Sequence, residues 1–261
     1  MHVSPSATPA PPLLLVAHGS RDPRHGATVT ALAERLRHRR PELRVETAYL
    51  DLTVPRVPTV LQRLADAGTR SAVAVPLLLT RAFHARADLP AVLRESLGRL
   101  PGLTVRQADV LGPHPLLLTA LERRLRQAGL RPADRSTTGV VLAAAGSSDP
   151  RALAVIADLA RRWRRAAGWG AVRPAFASAS PPTTAEAVRA LRAEGVRRVA
   201  VAPYVLAPGR LPDRIGRGAR EAGADVLAAP LGDAPEVAEV VLRRYTEALT
   251  TRPGLPLAAS A

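Results

Sequence analysis

The sequence predicts an α/β protein made of two similar doubly wound domains, each a four-stranded parallel sheet flanked by helices, facing each other across a cleft. Three observations predict it. Short Val- and Leu-rich runs alternate with amphipathic Arg/Glu/Ala stretches. The runs are continuously apolar, as strands buried on both faces require. The whole cycle then occurs a second time.

The first strand is LLLVA at 13–17, followed by the helical stretch VTALAERLRHRR at 29–40 and a second strand, LRVETAYL, at 43–50. VLQRLADA at 60–67, SAVAVPLLL at 71–79, AVLRESLGRL at 91–100, LTVRQADV at 103–110 and PLLLTALERRLRQ at 115–127 continue the alternation to four strands and four helices. GLRPADRSTT at 129–138 is polar and contains Pro, so it reads as a linker. From GVVLAAA onward the cycle restarts and ends in PEVAEVVLRRYTEAL. The predicted domains are therefore 13–128 and 139–250, joined by 129–138.

A shift of 127 residues carries Ala17-His18-Gly19-Ser20 onto Ala144-Ala145-Gly146-Ser147, Asp22-Pro23 onto Asp149-Pro150, Pro55 onto Pro182 and Pro76 onto Pro203. Positions kept in both halves are architectural. Gly19 and Gly146 let the chain leave a strand end tightly, and Asp22 and Asp149 before Pro read as N-caps with Pro in the first turn. Positions that differ point to chemistry. His18 becomes Ala145, Asp51 becomes Ser178 and His114 becomes Ala234, while the segment around His84, TRAFHARAD, shortens to APGR. His18, Asp51 and His84 follow strands one, two and three, and His114 follows strand four. Ligands of parallel α/β sheets bind at the carboxyl ends of strands, where the strand order reverses. With the order 2-1-3-4, His18 and His84 face each other across one cleft. Imidazole is the commonest ligand for divalent cobalt, iron or nickel and a proton acceptor near neutrality. His25 and His38, among Arg residues on the first helix, read as surface, and His2 lies in an unstructured start.

Composition narrows the choices. At 261 residues the chain has room for one large or two small domains. Hydrophobic residues make up 47%, and mean hydropathy is near zero, as in an ordinary globular protein. With no Cys, disulfides, thiolate metal sites and thiol nucleophiles are excluded, leaving His, carboxylate and backbone oxygen to hold a metal. The net charge of +15 comes entirely from Arg, since the chain has no Lys. Lys and Asn are both absent and Ile is rare, a bias expected of GC-rich coding, so part of the excess is a solvated surface. Aromatic residues, at 3%, are too few for a base-stacking platform, and the Arg residues are dispersed, so no nucleic-acid partner is expected. No apolar run suits a signal-peptide core or a membrane span, and a cytoplasmic location is expected. Phosphate-loop and dinucleotide fingerprints are absent, so no nucleotide is expected. Arg24-His25-Gly26 superficially matches the histidine-phosphatase motif, but that motif directly ends the first strand, and here it falls within a helix start.

Four segments in register, VAHGSRDPR (16–24), ETAYLDLTVP (46–55), VPLLLTRAFHARADLP (75–90) and LGPHP (111–115), resemble the sirohydrochlorin chelatases in the two-half long form of the class II chelatases. The resemblance implies insertion of Co²⁺ or Fe²⁺, or a related ion such as Ni²⁺, into sirohydrochlorin without nucleotide hydrolysis. The family's two essential histidines match His18 and His84, and its acidic residue after strand two is matched by Asp51, one methylene shorter than the common Glu. GRLPDR at 209–214 also occurs in long forms. Metal insertion needs acceptors for the pyrrole N–H protons and loose ligands for the entering metal. The expected metal ligands are His18, His84 and Asp51, with His84 as proton acceptor and His18 as ligand or partner base, the two roles being interchangeable at this stage. Arg21, Arg81, Arg86, Arg210, Arg214 and His114 are the expected contacts to the polycarboxylate macrocycle. A non-catalytic tetrapyrrole or metal carrier on the same fold is the alternative. Two fused halves make a pseudo-twofold unit, so a monomer is expected.

Overall fold

The computed structural model describes residues 10–80 and 88–250. Strands β1 (Leu13–Ala17), β2 (Val45–Tyr49), β3 (Ser71–Pro76) and β4 (Thr104–Gln107) alternate with helices α1 (Pro23–Arg39), α2 (Val57–Asp66), α3 (Leu89–Gly98) and α4 (Pro115–Gln127). A 3₁₀ turn, Pro132–Thr137, fills much of the polar segment that follows. The second series is β5 (Thr138–Ala144), α5 (Pro150–Ala167), β6 (Ala171–Phe176), α6 (Thr184–Ala193), β7 (Arg198–Tyr204), α7 (Arg210–Glu221), β8 (Val226–Leu227) and α8 (Pro235–Thr250). No helix among the described residues is long and apolar enough to cross a membrane.

Both sheets are parallel, with the orders β2-β1-β3-β4 and β6-β5-β7-β8, as the sequence predicts for a doubly wound sheet. The repeat extends to register. Leu15 lies opposite Thr47 and Val75, and Leu142, its counterpart, opposite Pro174 and Ala202. The pleat then divides the core. Leu14, Val16, Ala72 and Ala74 pack outward under α2 and α3, while Val141, Ala143, Val199 and Val201 do the same under α6 and α7. The opposite faces of both sheets, with Leu13 and Leu15 on one and Val140 and Leu142 on the other, bury into one continuous central core. Four helices fill the space between the sheets, so the halves share this core as well as facing each other.

The central layer holds an arrangement that the sequence repeat does not reveal. Chain order places α4 beside the first sheet and α8 beside the second, but α4 packs on β7, and α8 on β3 and β4. The loops 108–114 and 228–234 carry each helix across, since an extended residue spans about 3.3 Å. Two equivalent arginines secure the exchange. Arg124 on α4 donates to Leu231 O at 2.8 Å, and Arg244 on α8 donates to Val110 O at 2.8 Å.

Glu122 fixes α4 to its new neighbours. Its Oε1 accepts from Trp163 Nε1 at 2.7 Å and Trp169 Nε1 at 2.9 Å, and its Oε2 accepts from Arg135 at 2.6 Å. The indoles meet edge-on with centroids 6.1 Å apart, and both are buried. Glu122→Ala leaves two buried donors unsatisfied, at about 1–3 kcal/mol each. The expected result is a loss of roughly 3 kcal/mol in urea unfolding followed by fluorescence, with Glu122→Gln, which keeps an acceptor oxygen, losing much less. Trp163 and Trp169 are the two tryptophans of the chain, so the signal reports on this junction alone.

Candidate active site

The end of β1 is built around a close approach that only glycine permits. Gly19 has φ +98°, and a Cβ there would fall 1.7 Å from Asp51 O. At the sister position, Gly146 has φ +95°, and its Cβ would fall 1.9 Å from Ser178 O. Asp51 N donates to His18 O at 2.8 Å, and Ser178 N to Ala145 O at 3.1 Å. Thr53 Oγ1 donates to Ser20 O at 2.9 Å, and Ser180 Oγ to Ser147 O at 2.8 Å. Asp22 caps α1 by accepting from Arg24 N, and Asp149 caps α5 by accepting from Arg151 N, each at 2.9 Å. The same turn is thus built twice, and one copy carries a histidine at its apex.

That apex opens on a cleft of about 790 Å³ between the halves. The first half lines it with His18, Ser20, Arg21, Asp22 and His25, and with the apolar Leu52, Leu77, Leu78 and Leu79. The second half offers chiefly apolar groups, among them Leu153, Ile156, Phe176 and Leu206, with Arg210 at the rim. Both halves therefore offer apolar surface that suits the flat face of a conjugated ring, while the imidazoles of the lining come from the first half alone. At the mouth, Arg24 Nη2 bridges to Asp213 at 2.6 Å, joining α1 to α7. Both partners are more than half exposed, so this contact aligns the rims more than it stabilises them.

The structure brings His18, Arg21 and Arg210 together along this cleft. His84, Arg81 and Arg86 lie outside the described residues. Asp51 is next to His18 through the backbone, yet its exposed carboxylate pairs with Arg56 at 2.9 Å and is absent from the cleft lining. The Leu52 amide, followed by Arg56, holds that carboxyl below the usual range. His114 does not line the cleft either. Its Nδ1 accepts from Leu116 N at 3.1 Å and caps α4, while burial, assisted by Arg244 and Arg243, lowers its pKa. Arg214 is likewise absent from the lining, its Nη1 donating to Ala177 O at 3.0 Å just beyond β6. His38 stays exposed, with Nδ1 2.8 Å from Glu34 O.

His25 is the cleft residue that the sequence reading put on the surface. It occupies the first turn of α1, which starts at the carboxyl end of β1 and therefore projects toward the cleft. The repeat held a signal for it, because the 127-residue shift carries His25 onto Ala152, just as it carries His18 onto Ala145. Among the described residues, no group of three or more His, Asp or Glu is arranged to hold a metal ion.

A family model described as CbiX matches residues 12–128 and again 139–248. The chain belongs to the CbiX family. Among curated relatives, the sirohydrochlorin ferrochelatase of Bacillus subtilis (strain 168) is 26% identical over 246 residues, covering 93% of each chain. The sirohydrochlorin cobaltochelatase of Priestia megaterium is 27% identical over 206 residues, 78% of this chain, and the match spans just under two thirds of that relative, 66%. A solved structure, SirB from Bacillus subtilis with Fe³⁺, superposes with a TM-score of 0.79 at 26% identity, covering 91% of this chain and 95% of that one.

In this CbiX-family chain Asp22 borders the cleft but does the work of a cap. The Arg24 guanidinium, followed by the Arg24 amide, holds the Asp22 carboxyl below the ordinary carboxylate range. The stability it contributes is present above the unfolded carboxylate's pKa and is lost as pH falls through the lower folded value. Asp22→Ala is expected to lower the thermal midpoint at neutral pH and to converge with the wild type in acid. Activity per folded molecule should largely survive.

Proposed function

We propose that this chain is a sirohydrochlorin chelatase, a lyase that inserts Co²⁺ or Fe²⁺ into the macrocycle with the metal as substrate. The observation that carries the reading is the placement of His18 in a largely apolar cleft between two CbiX-matching repeats, with the imidazoles of the lining supplied by the first half alone. In this reading residues 13–128 carry the reactive groups, 139–250 form the facing wall, and 129–138 join them.

The reaction exchanges two pyrrole N–H protons for one divalent ion that sheds its water. The protons leave to imidazole and then to solvent, and no electrons are transferred, so no redox partner is required, and in this reading insertion proceeds without nucleotide hydrolysis. His18 stands at the strand end where it can hold the hydrated ion or accept a proton. His84, assigned from the sequence, is its counterpart. A two-imidazole site binds metal loosely enough to release it, whereas a closed set of four ligands would retain it. Asp51, engaged by Leu52 and Arg56, holds the turn beneath His18 and is not counted here as a ligand. Arg21 and Arg210 border the cleft from opposite halves, where each can receive a carboxylate of the substrate. Since one chain supplies both walls, the reading is of a monomer that acts in the cytoplasm without nucleic-acid or membrane partners.

The test is anaerobic absorbance of the purified protein with sirohydrochlorin and Co²⁺, Fe²⁺ or Ni²⁺. Metallation above the uncatalysed rate with one of these ions supports the assignment. Binding of the macrocycle with no acceleration for any ion overturns it in favour of a carrier.

A further inference from the structure

His25 lines the cleft on the same wall as His18 and is held there by structure rather than by hydrogen bonds. Its ring lies against Tyr49, with centroids 6.4 Å apart and planes tilted by 54°. Its Nδ1 is sealed from solvent and has no partner, and Nε2 meets no hydrogen-bonding group among the described residues. A neutral imidazole must place its single proton on one nitrogen. A buried donor without an acceptor is the rarer and costlier defect, so the proton belongs on Nε2 and leaves Nδ1 as the unpaired acceptor. The Asp22 carboxylate, which acts on the ring electrostatically, is already engaged by the Arg24 amide and guanidinium. The sister position, Ala152, also lines the cleft, so the same location tolerates a methyl group where no ligand has to be held.

We infer that His25 is a positioning residue for the tetrapyrrole, its Nε2–H donating to one of the macrocycle's carboxylates and fixing how the ring enters beside His18. The inference rests on the chelatase reading.

The experiment measures binding of metal-free sirohydrochlorin by fluorescence titration, together with kcat and KM for Co²⁺ insertion, in the full chain. His25→Ala copies the sister repeat and should fold. It is expected to raise both the macrocycle Kd and KM about tenfold with kcat little changed, as the loss of one partly exposed hydrogen bond to a charged group implies. His25→Gln, which restores an N–H at similar reach, is expected to recover most of the loss. Unchanged affinity in His25→Ala, a fall in kcat at constant KM, or a Gln variant as weak as the Ala variant overturns the inference while leaving the chelatase reading intact. Wild-type protein that binds no sirohydrochlorin overturns both.

Discussion

His18→Ala is expected to reduce metal insertion by about 10²–10⁴-fold, the range supplied by a positioned proton acceptor, without unfolding the protein. The second half supports both parts of this expectation. Ala145 occupies the equivalent apex, beside Gly146 at the same φ and above the same amide-to-carbonyl contact, so the turn folds with a methyl group in place of imidazole. The facing apolar wall and the Arg21 and Arg210 rim are untouched, so metal-free sirohydrochlorin should bind nearly as in the wild type. The loss should therefore fall on kcat. His84→Ala is expected to match it, and the double variant should lose little more than either alone, because residues that act as a unit are non-additive. Anaerobic single-turnover metallation gives the measurement. Retention of more than a tenth of wild-type kcat by His18→Ala would refute a direct role for this imidazole.

Gly19→Ala and Gly146→Ala should give the largest stability losses, similar in size but different in consequence. Each forces a Cβ to within 2 Å of a backbone carbonyl oxygen, 1.7 Å from Asp51 O in one case and 1.9 Å from Ser178 O in the other. Neither contact can be relieved by a side-chain rotation. A left-handed conformation costs a non-glycine residue roughly 1–2 kcal/mol before any clash is counted, and separating the two strand ends adds to it. A loss of about 3 kcal/mol or more in chemical unfolding is expected for each. Gly19→Ala also displaces the β2 end from His18, so its folded fraction should be nearly inactive. Gly146→Ala should keep near-normal kcat when folded. Equal kcat for the two variants, measured per folded molecule, would mean that the β1 turn does not position His18.

Much of this was readable from the amino acids. Val-rich strands, Pro in the first turn after Asp22 and Asp149, and the paired glycines are local signals, and the structure places strand order, caps and turns accordingly. The exchange of α4 and α8 was not readable, because an amphipathic helix has the same pattern whichever sheet it covers. His114 misled for a related reason. Before Pro115 it looks like a ligand in a loop, yet a histidine Nδ1 accepts from a helix amide much as an Asp oxygen does. Arg214 and Asp51 stand near the reactive end in sequence, but a carbonyl and an arginine respectively occupy them. His25 was hidden among the arginines of α1. Comparing it with Ala152 would have exposed it by the same asymmetry that singled out His18.

The crossing helices also set an order of events at the ribosome. The inner face of β3 and β4 is covered by α8, the last described helix, so this part of the first sheet remains uncovered until residue 250 has been made, while α1 can already pack on β2. At ordinary elongation rates of about 5–20 residues per second, the stretch from the end of β4 to the end of α8 takes roughly 7–30 s to synthesise. During that interval Val73 and Val75 stay open to solvent or to a chaperone, while α4 waits for β7. The first half cannot finish folding before the second has been made, and the cleft closes around His18 only once α8 is in place.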